Sequence, residues 1–242
     1  MKSLRTTSLL CAGFALVSLS ALGLAAPLRG SAQGGGEKDK AAAGASAKEF
    51  RGDPYLLDVD PVTGEPLGDV AKQVRIQHEG RDLRFAKKEN ADAFAKEPAK
   101  YLAAIDQKMV AAQTPLYPLD TCVVSGEKLG SMGAPVDVVY KNRLVRFCCK
   151  QCIKKLDAEG GSIVAKIDEA VIAKQGPAYA SKTCPVSDEA LGGEMGDPVD
   201  VVMGNRLVRL CCKSCKKQLD KEPLTFLHKL DQAAKAAPAG KG

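Results

Sequence analysis

Eight of the nine cysteines in this chain of 242 residues fall into two groups of one pattern. Cys122 is followed after a long gap by Cys148, Cys149 and Cys152, and Cys184 by Cys211, Cys212 and Cys215. Residues three and four apart on a helix share a face, so Cys148, Cys149 and Cys152 lean to one side, and a lone cysteine on a loop can close the set. Thiolates gathered in this way form a soft, sulfur-rich site suited to Zn(II) or Cu(I), one ion per group. Arg146, Lys150, Lys154 and Lys155 in one group, and Arg209, Lys213, Lys216 and Lys217 in the other, are expected to favour thiolate over thiol as counterions.

The groups recur because the chain repeats. Tyr55, Tyr117 and Tyr179 mark a period of about sixty residues, written three times. Arg84-Phe85-Ala86-Lys87-Lys88-Glu89-Asn90 lies over Arg146-Phe147-Cys148-Cys149-Lys150-Gln151-Cys152, and the third copy reads Arg209-Leu210-Cys211-Cys212-Lys213-Ser214-Cys215. The first copy carries no cysteine, with Asp60 and Asn90 where the second has Cys122 and Cys152. Four side chains that vary together across copies point to one shared site rather than four packing roles. The first copy reads as a degenerate, structural unit, in preference to a site for a harder ion.

The elements that must position the thiols are the same in each copy. A turn-rich stretch opens it: Asp60-Pro61-Val62-Thr63-Gly64-Glu65, Cys122-Val123-Val124-Ser125-Gly126-Glu127 and Cys184-Pro185-Val186-Ser187-Asp188-Glu189. Two β-rich runs follow, such as 136–140 and 143–147, joined by Lys141-Asn142, Glu79-Gly80 or Gly204-Asn205, which accept positive φ and predict a β-hairpin. A helix then carries Cys152 and Leu156, or Cys215 and Leu219, and a second helix carries Ile105, Ile167 or Leu230 with apolar neighbours. Glu97-Pro98 and Glu222-Pro223 break the two helices apart, and Glu97, Glu159 and Glu222 read as turn and cap residues. The fold class is α+β: three tandem units of loop, β-hairpin and two short helices.

The run Cys-x-Val-Ser-Gly-Glu, then a hairpin, then Arg-Phe-Cys-Cys-x-x-Cys and an apolar helix resembles the YHS and TRASH group of small cysteine domains. The likeness spans nearly all of residues 54 to 233. It implies treble-clef-like units similar to the metal-binding modules of heavy-metal transport and sensing proteins. The signature of a lone cysteine and a later Cys-x-x-x-Cys pair falls on Cys122, Cys148 and Cys152, and on Cys184, Cys211 and Cys215. Cys149 and Cys212 stand where YHS members often carry Ser, which leaves their part as ligands open.

The remainder of the chain bounds the reading. A basic start, an apolar run from Leu9 to Ala26 and Gly30-Ser31-Ala32 read as a secretory signal peptide that takes Cys11 with it. The chain thus divides into a signal peptide (1–32), a flexible linker (33–53), a cysteine-free repeat (54–113), two cysteine-rich repeats (114–176 and 177–233) and a disordered tail (234–242). Export places the protein in the periplasm or cell envelope, with no membrane span once the signal is removed. The formal charge of +6 falls to +3 without Lys2, Arg5 and Arg29, and with no Trp and few aromatics this argues against nucleic acid as a partner.

Structural disulfides are the main alternative for an exported chain with an even cysteine count. Adjacent cysteines pair poorly with each other, and the first copy has no crosslink to fold around. Cys149-x-x-Cys152 and Cys212-x-x-Cys215 are also redox motifs, but the βαβ pattern of a thioredoxin-like fold is missing. His78 and His228 are not repeated and read as surface or packing residues. With no repeated nucleophile and base, carboxylate pair or phosphate loop, the expectation is a binding protein rather than an enzyme. It would buffer, sense or deliver a soft metal, with an envelope metal-handling protein as partner. The alternative is an interaction module held together by structural zinc or disulfides.

Overall fold

Two-residue turns that tolerate left-handed backbone angles fix the register of every copy. Glu79 and Gly80, Lys141 and Asn142, and Gly204 and Asn205 all take positive φ, between 48° and 74°, the conformation whose twist matches antiparallel strands. The computed structural model, which describes residues 51–194 and 196–236, accordingly pairs β1 (Val74–His78) with β2 (Arg81–Phe85). It pairs β3 (Val136–Tyr140) with β4 (Arg143–Phe147), and β5 (Val199–Met203) with β6 (Arg206–Leu210). The expected signal peptide, most of the linker and the end of the tail lie outside the described residues.

Each hairpin leads into helices: α1 (Lys88–Lys96) and α2 (Pro98–Gln113), α3 (Lys150–Ile153) and α4 (Leu156–Gln175), α5 (Cys215–Lys221) and α6 (Pro223–Ala236). The fold is therefore mixed α+β, with three two-stranded antiparallel sheets and six α-helices among the described residues. Pro98 and Pro223 bar helical backbone at Glu97 and Glu222, which sit near φ −138° and −132° and separate the paired helices. The second copy departs from expectation. Glu159 is not a turn residue there: it lies inside α4, and the break moves forward to Lys154-Lys155. Residue 160 is Gly, which a helix tolerates. A side chain on Gly160 would approach the Tyr140 hydroxyl to 2.4 Å, so Gly lets the hairpin of this copy pack directly on α4.

A two-stranded hairpin alone is marginal in water, and each copy supplies the missing cover. Leu83, Phe85, Phe94, Ile105 and Met109 form one core, and Leu144, Phe147, Leu156, Ile163 and Ile167 a second. Met203, Leu210, Leu219, Phe226 and Leu230 form a third. An ion pair repeated in register ties the second strand to the second helix: Arg81 to Asp106, Arg143 to Asp168 and Arg206 to Asp231.

The copies join through the tips of their hairpins. Gln113 at the end of α2 donates to the carbonyl of Asn142 at 2.9 Å and accepts from the N–H of Leu144 at 2.8 Å. Gln175 at the end of α4 repeats both bonds one copy later, with Asn205 and Leu207. In the reverse direction the Asn142 amide donates to the carbonyl of Asp82, and that of Asn205 to the carbonyl of Leu144. Asp53, immediately before the first copy, accepts from Arg143 at 2.6 Å and from the N–H of Gly204 at 2.7 Å. Arg143 is fully buried, and the Asp53 and Asp168 carboxylates hold its guanidinium charged against burial, which acts the other way. The tips of the second and third hairpins are thus built into the junction through Asn142 and Asn205, and the cysteines begin at the opposite, open ends of those hairpins.

Without Asp53 the buried Arg143 keeps only the partly exposed Asp168 carboxylate, and the N–H of Gly204 loses its acceptor. Asp53→Ala should therefore lower the unfolding free energy by about 3 kcal/mol, the lower end for a broken buried pair, seen as a lower urea midpoint with an unchanged slope.

Candidate metal centre

The opening stretch of each copy closes into a tight loop by three repeated backbone bonds. In the second copy the N–H of Cys122 donates to Glu127 at 2.7 Å, Gly126 to Cys122 at 2.8 Å and Leu129 to Asp120 at 2.8 Å. The third copy repeats these bonds from Cys184, Asp188 and Leu191, and the first from Asp60, Gly64 and Leu67. Gly64, Gly126 and Asp188 each take positive φ at the sharp point of the loop. This turn aims successive N–H groups at the side chain of its first residue, a concavity that selects an anion.

Cys122 occupies that place in the second copy. Burial pushes its thiol up, but the Ser125 hydroxyl and the N–H groups of Cys148, Ser125 and Val124 outweigh burial and bring it down to about 6. Cys184 is drawn down to about 7 against burial by the N–H groups of Cys211, Ser187 and Val186 and by the Ser187 hydroxyl. Opposite lie the helix-borne thiols. Burial first, then sharing of hydrogen bonds with the neighbouring sulfurs, pushes Cys152 and Cys215 up to about 12. In each cluster the loop thiol is thus the more acidic member and the helix thiol the less acidic one.

The sulfurs of Cys122, Cys148 and Cys152 all lie within 4.8 Å of one another, as do those of Cys184, Cys211 and Cys215. Cys148 and Cys152 stand 3.8 Å apart, and Cys211 and Cys215 3.7 Å. Sulfurs bound at ~2.3 Å to a tetrahedral ion sit about 3.8 Å apart, whereas a disulfide needs ~2.0 Å. All eight cysteines of the described residues are free thiols. The spacing fits a shared ion without movement of the backbone.

Cys149 and Cys212 stand outside these mutually close sets, yet near them. Cys149 comes to 3.9 Å of Cys152; Cys212 comes to 3.6 Å of Cys215 and 3.8 Å of Cys211. Both are partly exposed, whereas the other six sulfurs belong to buried residues. Neither histidine takes part: His78 lies edge-on to Phe94 at 5.2 Å and His228 is exposed.

The expected counterion role of the basic residues is not what sets the thiols. Arg146 is paired with Asp137 at 2.7 Å and lies over the Tyr117 ring, and Arg209 is likewise paired with Asp200 and Tyr179. Lys155 reaches Glu159 and Lys216 reaches Asp220. Hydrogen bonds perform the task assigned to charge. Sequence reasoning also passed over Ser125 and Ser187, whose hydroxyls lie 3.3 and 3.2 Å from Cys148 and Cys211. Their recurrence two places before the glutamate of each loop was the available signal.

The first copy shows what the same geometry does without sulfur. Asp60 is 1% exposed. One carboxylate oxygen accepts the N–H of Val62 at 2.8 Å and of Thr63 at 3.2 Å; the other accepts the N–H of Ala86 at 2.7 Å and the Asn90 amide at 2.9 Å. These donors are the counterparts, position for position, of Val124, Ser125, Cys148 and Cys152. A carboxylate–amide bond spans the loop and helix where the other copies bring sulfurs together.

Comparison with family models, with curated proteins and with solved structures finds no match to this chain.

Two outcomes follow from this equivalence. Asp60→Ala leaves four donors without their anion and should cost about 2–3 kcal/mol of stability, measured by chemical unfolding. Replacing the lock by sulfur, as Asp60→Cys with Ala86→Cys and Asn90→Cys, should raise by one the number of metal ions bound per chain in elemental analysis.

Proposed function

We propose that this is an exported protein that binds soft metal ions, Zn(II) or Cu(I), one in each cysteine-rich copy, for buffering, sensing or delivery. The observation that carries the reading is the convergence, in the second and third copies, of a sulfur from the opening loop, one from the link after the hairpin and one from the helix within 4.8 Å, against the replacement of the same contacts by Asp60 and Asn90 in the first. The units are treble-clef-like in this reading and resemble YHS and TRASH domains. The leader at residues 1–32 sends the chain to the periplasm or cell envelope, where a metal-handling protein would be its partner. No helix of the described residues is long and apolar enough to cross a membrane. The act is binding, with no catalytic step assigned.

One observation favours a second reading, in which zinc only holds a small interaction module together. Cys122, Cys148 and Cys152 are members of the same buried cluster as Leu144, Phe147 and Ile163, and Cys184, Cys211 and Cys215 share one with Leu210 and Phe226. Reversibility separates the two. A purely structural ion is lost only with unfolding, whereas an exchangeable one leaves the fold standing.

The test is thiol titration of the purified mature protein with and without a chelator, beside elemental analysis. Metal binding predicts that the full count of eight thiols is reached only after chelation, with the six buried cysteines silent before it; thiols that appear only with reductant would assign them to disulfides instead. Cys122→Ser and Cys152→Ser should each remove one metal equivalent and leave the other copy loaded.

A further inference from the structure

The second and third copies spend one more cysteine than closure of the fold requires. In the first copy the loop-to-helix lock is complete with residues 60, 86 and 90. The adjoining position is Lys87, which is exposed and takes no part in that lock. The same position holds Cys149 and Cys212 in the other two copies. A cysteine placed there twice, where copy one needs nothing, has a purpose other than holding loop to helix.

Its surroundings suggest which. Cys149 caps α3 in extended backbone, with φ −158° and ψ 167°, so its side chain leaves the chain just before the helix begins. Cys149 and Cys212 pack against the edge of their hydrophobic clusters while the other six cysteines are inside them. Their sulfurs still reach 3.9 and 3.6 Å of Cys152 and Cys215, close to the ~3.8 Å edge of a tetrahedral thiolate site. The result in both copies is three sheltered sulfurs and a fourth on the solvent side.

We propose that Cys149 and Cys212 are the exchange ligands of the two sites, the outer thiolates that a thiolate of a partner protein replaces while the three inner sulfurs retain the ion. The proposal rests on the metal-binding reading above and assigns the point of transfer within it. In the step, the incoming thiolate forms a bond to the metal with its own electron pair. The bond from the metal to Cys149 or Cys212 breaks, and that sulfur leaves as a thiolate with the pair it had donated. Neither sulfur nor metal changes oxidation state. Repetition at the remaining ligands passes the ion on. Burial of the inner three makes the outer position the first one open to attack.

The test uses the full mature chain loaded with Zn(II). In the unaltered protein, iodoacetamide followed by mass-spectrometric mapping should label Cys149 and Cys212 first, with the six inner cysteines protected until zinc is lost. In the double variant Cys149→Ser, Cys212→Ser, the same zinc content per chain should survive desalting. Transfer to a chromophoric chelator should quicken by at least about tenfold, the lower end of what losing even an outer partner of a metal ligand costs. An unchanged transfer rate would mean the two sulfurs are not on the ion. Loss of both ions would make them equal to the inner ligands. Either result, or uniform labelling of all eight thiols in zinc-loaded protein, overturns the proposal. Unaltered protein that takes up no Zn(II) overturns the metal reading itself, and this proposal with it.

Discussion

Three backbone N–H groups converge on one side chain in every copy, a concavity that favours an acceptor carrying negative charge. Asp60, Cys122 and Cys184 fill that place. Two of the donors come from the loop and one from the far end of the hairpin, so the anion fastens the loop to the sheet before any helix contact is made. What lies on its other side then decides the character of the copy. An amide from Asn90 completes a hydrogen-bonded lock. A second and third sulfur, from Cys148 and Cys152, create a place for a cation.

The same hairpins serve two purposes at their two ends. In the second and third copies the tips are packed inward, with Asn142 and Asn205 bonded into the preceding copy and the Asp53–Arg143 pair between them. Their open ends carry the sulfurs. Five residue pairs separate the two in each sheet, so occupation of a sulfur cluster need not disturb the junction that holds the copies together. This separation would suit a site that exchanges its ion, as in the proposal above. It also explains how a copy without sulfur remains useful, since the first contributes Asp82, Gln113 and its preceding Asp53 to the junction.

Much of this was legible in the chain. The β-rich runs around Lys141-Asn142 specify the hairpin and its register, because only left-handed residues close so short a turn. Helical spacing predicts the meeting of Cys148 with Cys152, but Cys148 and Cys149 precede α3, Cys149 in extended backbone, so the link from the strand and not a shared helix face brings them together. What was not legible depends on contacts between distant segments. Arg143 is one of many arginines in the sequence, and nothing local marks it as the fully buried one. Gln113 and Gln175 end their helices as ordinary polar residues, and only the packed structure turns them toward the next hairpin. Glu159-Gly160 looks like Glu97-Pro98, yet without the proline ring no steric rule forbids helix, and Tyr140 can fill the space that Gly160 leaves. The basic residues near the cysteines misled for a related reason. Proximity in sequence placed Arg146 and Arg209 beside sulfur, whereas the pleat turned them toward Asp137 and Asp200 across the hairpin.

The first copy also bears on why the other two keep their thiols. If the sulfurs served only to join loop and helix, the carboxylate and amide of Asp60 and Asn90 would do as well, since they reproduce the contacts inside the same backbone. They do so without a reactive, oxidisable group. A hydrogen-bonded lock and a sulfur cluster are therefore two solutions to one structural problem, and only the second can also hold a soft cation. Cys148 and Cys152 sit where Ala86 and Asn90 suffice, and Cys149 where an exposed lysine suffices, so the excess of sulfur over structural need is greatest at the residues nearest to solvent. That gradient, from an indispensable anion in the loop to a dispensable thiol at the edge, favours a site arranged for passage of an ion over one arranged merely to stay closed.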